Sequence, residues 1–313
     1  MPTTSFKSFG LMFHYFQGLG HSPAQGALSQ AEFGRLVDRL LESDRLVGAY
    51  EWMQRAESGD LTDRICLTFD DGLRCQTDVA LPVIRSRALT AFWFVPSGAV
   101  MGDMTMEACR RFRNEYFNSV AEFYRAFFNQ LYGTDTTREE DWARDMPDGY
   151  LGEYDFYTLG DRAFRHARDF VLAADGYQSL MEDLMTTAGT SVAELLASQF
   201  IDSSLLRDLQ ADGHIIGLHS HTHPTRLMTL SVAEQRAEYG KNLDVLSSVL
   251  AKPPVCMAHP CNSYTRDTLA ILRRLGIRLG FRSNRLVRNV SMLELPREDG
   301  VHYCFDHETA APL

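Results

Sequence analysis

Arg64-Ile65-Cys66-Leu67-Thr68-Phe69-Asp70-Asp71-Gly72 decides the fold class: a strand-favouring apolar run ends abruptly on two carboxylates and a glycine. The alternation over 64–69 predicts a strand, and Gly72 permits a sharp turn, so both aspartates are expected at the strand's carboxyl end. His214-Ile215-Ile216-Gly217-Leu218 reads the same way and delivers His219-Ser220-His221-Thr222-His223-Pro224 to the end of a second strand. Around these two segments strands and helices alternate. Helices are predicted over 31–41, 77–87, 203–210, 232–250 and 267–275, and further strands over 89–96 and around Val255. This rhythm predicts a parallel barrel, whose functional side chains gather at the carboxyl ends of its strands.

Two adjacent carboxylates and two imidazoles four residues apart can supply three ligands to a metal and leave one carboxylate to take a proton. Catalytic zinc commonly uses three protein ligands of mixed histidine and carboxylate type and keeps one position open. Neighbouring aspartates on an extended backbone point in opposite directions, so one is expected to ligate and the other to act as base. A bare Asp-Asp-Gly is also a common turn, and a His-x-x-x-His can be a surface accident. Their joint placement after two predicted strands favours the metal site.

At these residues the chain resembles the polysaccharide deacetylases, the carbohydrate esterase family four proteins with NodB homology. Thr68-Phe69-Asp70-Asp71-Gly72 matches their first motif in full, and His219, Ser220 and His223 match the second. The resemblance implies a distorted (β/α) barrel and a metal-dependent hydrolase, zinc first, that removes an N-acyl group from an amino sugar. By the family's pattern Asp70 is the general base, Asp71, His219 and His223 hold the metal, Ser220 braces the second motif, and His221 is a spacer.

The third motif departs from the pattern. Met257-Ala258-His259-Pro260-Cys261-Asn262 keeps only Ala258 and Pro260 of the branch that lacks the usual arginine, so the group orienting Asp70 is missing there. His259 either lines the pocket in its place or is a buried structural histidine. In the tail, His302 is favoured over His307 as the acid that protonates the departing amine. Arg297, after Leu295-Pro296, is expected to reach the site as a substrate contact. His14 closes the strand-like Gly10-Leu11-Met12-Phe13 and is expected at the pocket, as in deacetylases of that branch.

With 313 residues and 45% hydrophobic content, the chain suffices for one large barrel spanning 1–313. Asp71 and His219 lie 148 positions apart, whereas a strand-helix-strand step needs about 30. A mainly helical insertion over 104–200 is therefore expected. In it Phe117, Val120, Tyr124, Phe127 and Leu131 form an apolar stripe at helical spacing, more often core than a lid. The net charge of −10 argues against nucleic acid as partner. No window approaches the ~18 apolar residues of a membrane span. Without a secretory signal the six cysteines are expected as free thiols and the protein in the cytoplasm. That location favours a nucleotide-linked, lipid-linked or oligosaccharide amino sugar of lipopolysaccharide, O-antigen or capsule synthesis, the lipid-linked kind met at the inner membrane face. Two alternatives stand beside it: an N-deformylase, and a metal-binding but inactive barrel acting as a scaffold.

Overall fold

Parallel strands need long crossovers, and in this chain they are helical. The computed structural model describes residues 7–24, 26–102, 104–135, 138–152, 157–285, 291–301 and 303. Seven strands form one sheet: β1 (Phe9–Phe13), β2 (Ile65–Asp70), β3 (Phe92–Val95), β4 (Ile215–Leu218), β5 (Cys256–Ala258), β6 (Leu279–Phe281) and β7 (Arg297–Asp299). Their spatial order is β6-β5-β4-β3-β2-β1-β7, with every ladder parallel. One segment brings the two edges together. Residues 292–295 bond to β6, through the Phe281–Leu295 bridge and the Gly280 N–H to Met292 carbonyl bond, and two residues later the same chain is paired with β1 as β7. The result is a nearly closed seven-stranded parallel barrel with surrounding helices.

Gly280 is what lets that closing segment approach. A Cβ at this position would stand 2.7 Å from the Leu293 carbonyl oxygen and 2.9 Å from its Cα, both backbone atoms that cannot swing aside. Gly280→Ala is expected to cost about 1–3 kcal/mol, as overpacking does. A lower urea midpoint at unchanged m-value would show it, and an unchanged midpoint would mean that the closing segment yields.

Period-two alternation sorts the strand residues into two cores. Cys66, Phe92, Phe94, Cys256, Ala258, Leu279, Phe281 and Leu295 fill the inside, closed from below by the helix Ala49–Ser58, whose Trp52 stacks on Phe281 at 5.1 Å. Leu67, Phe69, Trp93, Ile216 and Met257 face outward into the helical layer. The helices Gln30–Glu42 and Val232–Val249 each begin with a capping box, Ser29 with Glu32 and Ser231 with Glu234.

The chain divides into two compact units, Met1–Asp103 with Ser198–Leu313, and Met104–Ala197. The second is helical and has its own aromatic core around Phe112, Phe123, Phe127, Phe128 and Phe164. In its helix Val120–Tyr132 the buried face carries Phe123 and Phe128 beside Tyr124 and Phe127, whereas Val120 is exposed. The predicted stripe is thus turned about the axis. Ser119 caps this helix, so Val120 sits in its solvent-facing first turn.

Candidate active site

Asp70 is the last residue of β2 and points into the barrel above Thr68; it is 2% exposed. Asp71 follows with φ of 74°, a left-handed conformation that interrupts the extended backbone. The expectation that the two carboxylates face opposite ways fails for that reason. Past the strand end the alternation no longer applies, and both reach the same cluster: His219 Nε2 lies 3.8 Å from Asp70 Oδ2 and 3.5 Å from Asp71 Oδ1. His223 Nε2 is 3.4 Å from the same Asp71 oxygen.

The second motif is held from several directions. The His219 N–H donates to Asn242 Oδ1 at 2.8 Å, and its Nδ1–H to the Ala258 carbonyl at 2.9 Å, which turns Nε2 toward Asp71. Ser220 and His223 both have positive φ, 62° and 55°, and the His223 N–H donates to Ser220 Oγ. Such strained residues persist only where the surroundings impose them. Glu238 accepts from the His221 and Thr222 N–H groups. His221 itself turns to Ser97, Nδ1 to Oγ at 2.8 Å, in keeping with its reading as a spacer.

Asp71, His219 and His223 are buried, and one candidate ligand atom from each lies within 4.8 Å of the others. This donor set fits zinc. Burial lowers the His219 pKa and outweighs the opposing pull of Asp70 and Asp71, so the ring stays neutral, the form a metal ligand requires.

Arg297 comes up from β7 through the barrel interior. Its Nη1–H and Nη2–H groups donate to Asp70 Oδ1 at 2.6 Å and Oδ2 at 2.8 Å, a bidentate pair; Nη1–H also reaches Thr68 Oγ1, and Nε–H the Arg282 carbonyl. The arginine missing from the third motif is thus supplied by another strand. Arg297 is 0% exposed with its donors engaged below the carboxylate, so its place is beneath Asp70 rather than among substrate-facing groups. Burial pushes the Asp70 carboxyl up, but the Arg297 guanidinium prevails and holds it below the ordinary carboxylate value.

His14 follows β1 and keeps a third of its side chain exposed, with Nε2 at 3.9 Å from Asp70 Oδ2. His259 follows β5 and alternates outward. It is 1% exposed, its Nε2–H donates to the Leu293 carbonyl at 2.9 Å, and its ring stacks on Tyr264 at 4.0 Å. Of the two readings left open for it, this environment matches the buried structural one. Burial takes its pKa down to about 3, which keeps it neutral. His302 and His307 lie outside the described residues. Sequence reading missed Gln76 and Asn242. Both are buried amides on helical segments, and no motif marks them.

A family model described as polysaccharide deacetylase matches residues 175–280, a stretch that includes His219, His223 and His259. Over that stretch the chain is similar to the polysaccharide deacetylase family. Several solved structures share the fold of this chain at low identity. The Streptococcus pyogenes deacetylase PplD, in complex with acetate, is 14% identical with a TM-score of 0.55, over 95% of this chain and 93% of that one. IcaB from Ammonifex degensii is 16% identical with a TM-score of 0.54, over 93% and 91%. A de-N-acetylase from Aggregatibacter actinomycetemcomitans is 11% identical with a TM-score of 0.53, over 94% and 95%. No curated protein sequence matches this chain. Among the described residues no helix is long and apolar enough to cross a membrane.

Proposed function

We propose that this chain is a zinc-dependent N-deacetylase of an amino sugar. The observation that carries the reading is a buried carboxylate, Asp70, held ionised by Arg297 beside the separate ligand set Asp71, His219 and His223. A binding-only barrel has no use for a charge kept at that cost, which counts against the scaffold reading. Zinc at the three ligands would supply Lewis-acid polarisation of the acyl carbonyl and acidify a water molecule.

The rest falls to side chains of the chain. Asp70 takes the proton of the attacking water, and its depressed pKa keeps it able to do so down to mildly acidic pH. Arg297 fixes both carboxylate oxygens, so the base does not rotate away during the proton transfer. His302 is proposed as the group that returns a proton to the departing amine. His14, one-third exposed beside Asp70, is proposed to contact the sugar. His259 supports the ring of residues around His219 from behind. The insertion over 104–200 is proposed as an elaboration of one barrel rather than a second catalytic domain.

The favoured substrates are nucleotide-linked or lipid-linked N-acetylated amino sugars of cell-surface polysaccharide synthesis, met in the cytoplasm or at the inner membrane face; a formyl group is the alternative acyl group. The test is release of acetate or formate from a panel of such sugars by zinc-loaded protein. Removing the metal with a chelator is expected to abolish release and lower Tm, and re-adding zinc to restore both. Full activity in excess chelator would exclude metal dependence.

A further inference from the structure

We infer that Gln76 is a positioning residue that sets the distance between Asp70 and His14 by tying together the ends of β1 and β2. The inference rests on the deacetylase reading of that site. The β1–β2 register runs from Phe9 with Ile65 to Phe13 with Phe69 and stops there. One residue later, where the two chains part, stand His14 and Asp70, the imidazole and carboxylate whose Nε2 and Oδ2 are 3.9 Å apart.

At that fork the side-chain amide of Gln76 takes over from the ladder. Its Nε2 donates to the Asp70 carbonyl at 2.6 Å and to the His14 carbonyl at 2.9 Å, one hydrogen for each strand, while Oε1 accepts the Leu73 N–H at 3.2 Å. Gln76 is 0% exposed. Both amide hydrogens and the oxygen are used, so the side chain has no freedom to relax.

The backbone around it is also unusual. Gln76 opens a π-helical turn, Gln76–Ala80, a few residues after the left-handed Asp71 and Gly72. Turns of this kind are rare and concentrate at functional sites. A leucine would fill the same volume without burying an amide. An amide here instead couples the backbone positions of two residues that act on one substrate. Asn242 ties the next pair of ends in the same manner, taking the His219 N–H and donating to the Val95 carbonyl.

The test compares zinc-loaded full-length protein with its Gln76→Glu and Gln76→Leu variants. Glutamate keeps the shape and loses both donors. Expected are retained zinc stoichiometry, KM within about two-fold, and kcat lowered about 10²-fold in both, the penalty of a misplacement near 1 Å. A parental kcat per folded molecule with only a lowered Tm would overturn the proposal and leave Gln76 to stability; failure of both variants to fold would do the same. If the unsubstituted protein releases no acyl group from any sugar, the deacetylase reading falls. Crystal structures of the variants then decide the tie alone. A His14 Nε2 to Asp70 Oδ2 separation about 1 Å wider supports it, and one still near 3.9 Å overturns it.

Discussion

Asp70→Asn is expected to lower acyl release by about 10³-fold while zinc stays bound. General-base assistance contributes roughly 10²–10⁴ to such reactions, and an amide cannot take the proton. Zinc is expected to remain because Asp71, His219 and His223 can hold it without Asp70. The variant is also expected to be less stable, since Arg297 loses its ionised partner while staying 0% exposed. The Asn oxygen still accepts one of the two guanidinium bonds, so the cost should fall below the 3–5 kcal/mol typical of a buried charge left wholly alone. Turnover, metal content and Tm together decide the outcome. Near-parental turnover would remove Asp70 as base, and loss of zinc would place Asp70 among the ligands.

Arg297→Met is expected to be the most destabilising of these substitutions, at about 3–5 kcal/mol, because it leaves the Asp70 carboxylate buried without its partner. Linkage gives the sign with pH. In the parent, Asp70 titrates below its ordinary value of 3.8, so the pair contributes stability above that value and loses it as pH falls through the lower folded pKa. Without Arg297 the strongest opposing charge is gone and burial dominates, raising the Asp70 pKa. The variant should therefore gain stability relative to the parent as the solution is acidified, and the acid limb of its residual activity should move to higher pH. Arg297→Lys should rescue only part of either effect, since an ammonium cannot match the two-pronged contact at 2.6 and 2.8 Å. Parallel pH–stability curves for parent and methionine variant would show that the pair does not set the titration of Asp70.

Much of the barrel and most of the candidate ligand cluster were legible along the chain. Strand and helix periods in 64–69, 203–210, 232–250 and 267–275 correspond to β2 and to the helices Ser203–Ala211, Val232–Val249 and Arg266–Arg274 within a residue or two. Local hydrophobic patterning suffices for that. The segment over 77–87 was less regular than its pattern implied: it divides into the π turn Gln76–Ala80 and the helix Leu81–Arg85. A rare backbone state has no compositional signature.

The sequence by itself determined which residue types stand at strand ends: Asp70, Asp71, His219 and His223 are adjacent in the chain or four apart, so their chemistry could be read as a unit. Only the tertiary structure decided which groups surround them. Arg297 lies 227 positions from Asp70 and meets it because β7 pairs with β1, two strands across the sheet from Asp70's nearest neighbours in the chain. His259 turned outward because one residue of register separates the barrel interior from the helical layer. Gln76 and Asn242 became visible only as partners of carbonyls and amides that parting strands leave without a ladder. Periodicity is a property of neighbours along the chain, whereas the pairing of distant strand ends depends on barrel closure, which no short window of sequence contains.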